Sequence, residues 1–99
     1  MDGKTTIEDL KYIVKEFCEI RDWSQYHNPK DLAIGISTEA NELLEIFRFK
    51  SDNDLKEIFK NTEKKKQIEN ELADVLFFIL RFAQMNDINL ESVLKRKVK

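Results

Sequence analysis

An all-α bundle of four to five helices is the fold this sequence predicts, on three observations. The chain carries only two Gly and one Pro in 99 residues, too few for a β-sandwich rich in turns. Its 36% charged residues stand beside 41% hydrophobic ones that include seven Phe, the composition of helices with one apolar face. Apolar positions recur three and four apart, at helical intervals. A chain of 99 residues has room for one domain with a real core, so residues 1–99 are read as a single domain.

Thr5 and Thr6 precede Glu8 and Asp9 at capping-box spacing, and Ile7, Leu10, Val14 and Phe17 follow in helical register. The first helix is therefore expected from Thr6 to Arg21. Asp22 to Asn28 forms a polar, aromatic connector, and Pro29 suits a helical first turn because its missing N–H would have no partner there. The second helix should end near Arg48. Ser51, Asp52, Asn53 and Asp54 make a turn, and Leu55, Ile58 and Phe59 give a short connecting helix that stops near Asn61 and Thr62. The longest periodic stretch runs from Glu63 to Gln84, with Ile68, Leu72, Val75, Ile79 and Phe82 on one face. Asn86 to Asn89 interrupts it, and Leu90, Val93 and Leu94 mark a brief last helix. The basic run Lys95, Arg96, Lys97 and Lys99 suits the negative end of that helix and reads as a solvated terminus.

Seventeen basic residues against nineteen acidic ones leave a formal charge of −2, which offers no broad field for gripping a nucleic-acid polymer. The single Cys18 cannot close an internal disulfide, and MDGKTTIEDL has no apolar core of a signal peptide. The longest apolar run, Val75 to Leu80, is far too short for a bilayer. The expected setting is the cytoplasm, with no membrane partner.

The second and fourth helices share a local pattern. Ile36, Glu39, Ala40, Glu42, Leu43, Ile46 and Phe47 run parallel to Ile68, Glu71, Leu72, Asp74, Val75, Phe78 and Ile79 at the same offsets. At about 100° per residue, Glu39 and Glu42 lie about 60° apart, in an arc that also holds Gly35 and Ile46. Glu71 and Asp74 are flanked in the same way by Val75 and Phe78, whereas Glu45 and Glu69 point elsewhere. A single E-x-x-E spacing in a charged helix would be surface decoration. Two pairs in one register against the core face are costly unless a cation neutralises them. Oxygen ligands with no accompanying Cys or His favour a hard ion, Mg²⁺ or Mn²⁺. Ferritin-like di-iron bundles also use helical carboxylates, but with E-x-x-H motifs; none exists here, and His27 is the only histidine.

The stretch Arg21-Asp22-Trp23-Ser24-Gln25-Tyr26-His27-Asn28-Pro29-Lys30-Asp31-Leu32, followed by Glu39-x-x-Glu42 and by Glu71-Leu72-Ala73-Asp74-Val75-Leu76, resembles the MazG-like nucleotide pyrophosphohydrolases. The branch it is most similar to is the dCTP pyrophosphatase-like one, and the resemblance runs over nearly the whole chain. It implies the all-α fold of nucleoside triphosphate pyrophosphatases. It also implies hydrolysis of a nucleoside triphosphate to monophosphate and pyrophosphate, with Glu39, Glu42, Glu71 and Asp74 as both metal ligands and catalytic groups. Removal of unwanted or non-canonical nucleotides, and assembly as a dimer or tetramer, are further implications; the Phe-rich composition points to self-association as well.

By the same resemblance, Trp23 and His27 fall in a segment that lines the nucleotide pocket, where an aromatic ring stacks on a base and an imidazole hydrogen-bonds to base or phosphate. Read without it, Trp23 is equally an anchor under the loop and His27 a capping or loop residue. Lys30, Lys50 and Arg81 are candidate phosphate partners, Lys50 first because it matches a lysine of the family pattern. Phe49 stands where many members have Trp, and Phe78, one turn after Asp74, where many have Tyr, so both are expected at the nucleotide and both alter its contacts. The chain ends at Lys99, short of an Asn and Arg-Tyr-Pro-like tail. If that tail covers the nucleotide, the expectation is looser binding or cover borrowed from another subunit. A silent helical adaptor and a nucleotide sensor without turnover are the rival readings.

Overall fold

The computed structural model describes residues 2–99 and contains five α-helices and no strand among them. Helix α1 spans Ile7–Ile20, α2 Pro29–Phe47, α3 Asp52–Glu57, α4 Thr62–Met85 and α5 Leu90–Lys97. Short 3₁₀ turns at Ser24–Tyr26 and Ile58–Lys60 precede α2 and extend α3. The long helices end within a residue or so of the positions expected from the sequence. The short connecting helix divides, its second half tightening into the 3₁₀ turn.

Every helix starts on a side-chain cap. Thr6 and Asp9 exchange hydrogen bonds of 3.0 Å in a capping box at α1, and Ser51 and Asp54 do the same at α3. Asn28, Asn61 and Asn89 each accept the N–H three residues on, that of Asp31, Lys64 and Ser92 respectively. Each cap satisfies a donor that the helix itself cannot. Stops are less conventional. Asp22, Phe49 and Asp87 take left-handed φ values of 58°, 65° and 52°, where glycine is the usual occupant. At the end of α1 the N–H of Trp23 reaches Cys18 O at 2.9 Å and that of Asp22 reaches Glu19 O at 3.0 Å, the paired closure of a Schellman turn. That turn aims Trp23 and the 3₁₀ segment back across the bundle.

Helix α4 is the axis of the fold, packed against α2 along one flank and α1 along another. Its buried residues form two separate clusters. Val14, Cys18 and Leu80 pack with Leu10, Phe77 and Leu90 on the α1 side, while Ile46, Ile58 and Ile68 pack with Leu43 and Phe47 on the α2 side. Because α4 serves two partners, its buried stripe is not the single face expected. Ile68 is buried as expected, but Leu72 is 53% exposed, Val75, Ile79 and Phe82 are half-buried, and the other buried positions are Leu80, Arg81 and Ala83.

The chain leaves much apolar surface uncovered. Its accessible area is 7884 Å², against roughly 5900 Å² for a compact monomer of this mass. Its radius of gyration is 15.7 Å, against about 12.6 Å expected for a compact chain of this length. Ile13, Phe17 and Ile20 on α1, Ile34 and Leu44 on α2, and Leu72 and Leu76 on α4 are among the exposed large apolar residues. No helix among the described residues is long and apolar enough to cross a membrane.

Candidate functional site

The carboxylate pairs on α2 and α4 come together because the two helices carry them at the same register along their shared interface. Glu39, Glu42 and Glu71 each present an oxygen within 4.8 Å of the others. Asp74 stands just outside that trio, close enough that its negative charge acts on Glu39 and Glu71. Glu39 and Glu71 are half-buried, and Glu42 and Asp74 are exposed. The four groups therefore sit at the rim of the interface rather than inside a sealed core. Glu45, as expected, faces away and pairs with Arg48 at 2.6 Å on the surface.

Electrostatically the site is unfinished. Glu39 Oε2 and Glu71 Oε2 are buried oxygens with no hydrogen-bond partner. The three ion pairs among the described residues are Glu45 with Arg48, Glu57 with Lys60 and Glu91 with Lys95, so none reaches the quartet. Burial, then the adjoining Glu42 carboxylate, then the charges of Asp74 and Glu71, push the Glu39 carboxyl up to about 7. Burial and Glu42 raise the Glu71 carboxyl as well. Carboxylates that repel one another and leave buried oxygens unpaired are a fit for a cation. An all-oxygen donor set fits a hard divalent ion, and the residues that would hold it are Glu39, Glu42, Glu71 and Asp74.

One turn from these groups, the Phe78 ring lies against the backbone of α2 at Gly35. A Cβ built at Gly35 would fall 2.6 Å from two of its ring carbons, closer than real contacts allow. The contact sets how near α2 and α4 approach beside the carboxylates. Sequence reading placed Gly35 in the arc but did not see this role. The signal was a glycine in the middle of a long helix, where it costs about 1 kcal/mol relative to alanine unless packing demands it.

Trp23 and His27 are side by side, ring centroids 6.3 Å apart, at the end of an aromatic chain that passes from Phe78 through Phe77 and Phe17. Trp23 packs edge-on against Phe17 at 5.4 Å yet is 37% exposed, so it combines an anchored edge with an open one. Phe49 is 94% exposed and held at a left-handed φ. Lys50 borders a shallow 260 Å³ hollow with Asp54, Glu57, Ile58, Asn61 and Lys64, and Lys30 is exposed in the first turn of α2. Arg81 departs from expectation. It is 1% exposed, and its guanidinium donates to His27, Gln84 and Ser24, which leaves it no free edge for a phosphate. A charge at this position was read as solvated or phosphate-facing because the acceptor ring lies 54 residues away in the chain. Ser24, 57 residues away, was missed for the same reason, whereas Gln84 lies one turn on along α4 and was missed although its i,i+3 spacing was local. A 380 Å³ cavity between α1 and the α4–α5 turn, bordered by Lys11, Tyr12, Lys15, Gln84 and Asp87, lies more than two turns along α4 from the carboxylates.

A five-helix bundle with paired acidic motifs meeting across two helices defines a class, and comparison with known proteins identifies it. The family model described as the MazG-like family matches residues 34–99, a span that includes all four carboxylates. The chain belongs to the MazG-like family. It is 30% identical over 93 residues to dCTP pyrophosphatase 1 of Mus musculus, a match covering 94% of this chain and 55% of that protein. With dCTP pyrophosphatase 1 of Homo sapiens it shares 31% identity over 85 residues, covering 86% and 50% respectively. The chain thus spans about half the length of the curated relatives it matches. The crystal structure of a pyrophosphatase from Archaeoglobus fulgidus DSM 4304 superimposes with a TM-score of 0.86 at 37% identity, covering 99% of this chain and 90% of that one.

Proposed function

We propose that this protein hydrolyses nucleoside triphosphates to monophosphate and pyrophosphate with Mg²⁺, or Mn²⁺ in its place, held by Glu39, Glu42, Glu71 and Asp74. The observation that carries the reading is the pair of buried, unpartnered oxygens, Glu39 Oε2 and Glu71 Oε2, in carboxylates that α2 and α4 bring together with Glu42, in a chain similar to dCTP pyrophosphatases. Such an ion neutralises phosphate charge and lowers the pKa of a water it binds. The chain's own contribution is to hold four carboxylates at fixed spacing on two rigid helices and to supply one of them as the general base that takes a proton from the attacking water. Trp23 offers a face for stacking the base and His27 a polar contact beside it; Phe49, Phe78, Lys30 and Lys50 flank the nucleotide. Arg81 serves the same pocket from behind, through His27.

The excess exposed surface supports assembly into a dimer or tetramer, and the buried, free Cys18 suits a reducing cytoplasm. The cellular role is the removal of excess or non-canonical nucleotides. A panel of nucleoside triphosphates with Mg²⁺, assayed for released pyrophosphate and orthophosphate, tests the reading. Pyrophosphate from at least one of them supports it. Binding without turnover would make the chain a sensor, and neither binding nor turnover would make it an adaptor.

A further inference from the structure

Arg81 is the largest side chain that the fold encloses completely. A buried guanidinium is costly unless its charge is matched, yet no carboxylate pairs with it among the described residues. Its acceptors are neutral: Nε donates to His27 Nδ1 at 3.0 Å, Nη1 to Gln84 Oε1 at 2.7 Å and Nη2 to Ser24 Oγ at 3.0 Å. Two of the three lie on the connector between α1 and α2, so the guanidinium pins that connector to α4. We propose that Arg81 is a positioning residue that holds His27 as the neutral imidazole with its proton on Nε2, and so presents Nε2–H as a fixed donor to an acceptor oxygen of the nucleotide.

The tautomer follows from the donor inventory. An arginine N–H has no lone pair and keeps its proton, so the ring nitrogen facing it must be the acceptor. A neutral imidazole has one acceptor nitrogen, which leaves the proton on the other. Protonating Nδ1 would break the bond and set two cations in contact. In accord with that, burial and the Arg81 charge hold His27 below its ordinary pKa. Nε2 has no hydrogen-bond partner among the described residues and is not among the occluded polar atoms, so it is accessible on a ring that sits beside Trp23. A nitrogen that can only donate, backed by a buried cation, takes an acceptor and rejects a donor, and a base carbonyl or a phosphate oxygen of the nucleotide supplies one. The tautomer stands on the geometry alone, whereas the role toward nucleotide rests on the function proposed above.

His27 is the only histidine, so a ¹⁵N–¹H multiple-bond spectrum of the labelled full chain contains a single imidazole. At neutral pH it should show Nε2 protonated and Nδ1 bare, in one tautomer. Arg81→Lys should convert this to a mixture. The Nδ1–H form, a mixture or an imidazolium in the wild type would overturn the proposal, and that spectrum decides even if the variant fails to fold. In a second arm, a dCTP analogue with a methylene between the α and β phosphorus atoms is added with Mg²⁺. The Nε2 resonance should move, and Arg81→Lys should weaken analogue binding about tenfold, or ~1.4 kcal/mol, without changing Mg²⁺ affinity. Deoxycytidine alone reproduces the movement if the acceptor is a base carbonyl, and pyrophosphate alone if it is a phosphate oxygen. A silent Nε2 at saturation refutes the donor role even where pyrophosphate release persists, whereas absent analogue binding is a failure of the hydrolase reading itself.

Discussion

Phe49 shows what a single residue costs where a helix stops without glycine. Its left-handed backbone costs a side chain with a Cβ about 1–2 kcal/mol, and at 94% exposure its ring returns almost nothing by burial. The strain stops α2, and under the proposed function the exposed ring beside Lys50 is offered to the nucleotide. Phe49→Gly is therefore expected to leave stability unchanged or raise it by up to about 1 kcal/mol, once the added freedom of the unfolded glycine is set against the relieved strain. Nucleotide affinity should fall at the same time. A urea midpoint and a nucleotide titration on one preparation check both, and a variant that loses stability would show the ring to be structural.

Glu39 makes a second residue-scale prediction, in which the sign is set by its raised pKa of about 7. Between the ordinary carboxylate range and 7 the folded chain binds a proton that the unfolded chain has released, so this group's contribution to stability falls as pH rises through that window. His27 works in the opposite sense, since its pKa is lowered and its neutral form is favoured by folding. Comparing wild type with Glu39→Gln isolates the carboxylate. In metal-free protein the variant should gain on the wild type as pH rises from about 5 to about 7.5, and saturating Mg²⁺ should reverse its advantage. Denaturation midpoints at the two pH values, with and without Mg²⁺, measure this directly.

At the scale of elements, α2 and α4 carry the acidic cluster between them, and Gly35 sets their spacing. Gly35→Ala drives a methyl into the Phe78 ring, which Phe77 flanks in edge-to-face contact at 5.5 Å. The substitution should cost about 1–3 kcal/mol as an overpacking change, despite alanine's better helix propensity. It should also weaken Mg²⁺ binding, because the carboxylate pairs are carried apart. Calorimetric titration of the variant with Mg²⁺ tests the second part, and an unaltered affinity would uncouple the spacer from the site. The helices themselves were legible in the sequence because caps and periodicity are local. Thr6, Asn28, Ser51, Asn61 and Asn89 each act within three residues. The matched offsets of Glu39–Glu42 and Glu71–Asp74 exposed the acidic site for the same reason. What stayed hidden depends on which helices meet. The exposure of Leu72 and the pinning of His27 by Arg81 are consequences of tertiary packing that no local pattern encodes, and for the seat of Phe78 on Gly35 the local signal, a mid-helix glycine, does not name its partner.

Taken whole, the molecule leaves more of its surface exposed than a compact monomer of its mass does. Two small clusters of buried residues flank one long helix, and the chain exposes roughly 2000 Å² more than a compact monomer of its mass. That excess is on the scale of a substantial protein–protein interface. Light scattering at tens of micromolar, roughly the range of ordinary assembly tests, should therefore return a dimer or a tetramer. A monomeric mass would mean that the apolar faces of α1 and α4 are covered by something else.

The central claim is that the α2–α4 carboxylates carry a divalent ion for cleavage between the α and β phosphorus atoms. ³¹P NMR of a nucleoside triphosphate substrate incubated with the protein and Mg²⁺ tests it in one measurement. The account predicts that monophosphate and pyrophosphate signals grow together in equal amounts with no orthophosphate, and that excess chelator or Glu42→Gln stops both. Nucleoside diphosphate with orthophosphate, or turnover undiminished in chelator, would contradict it.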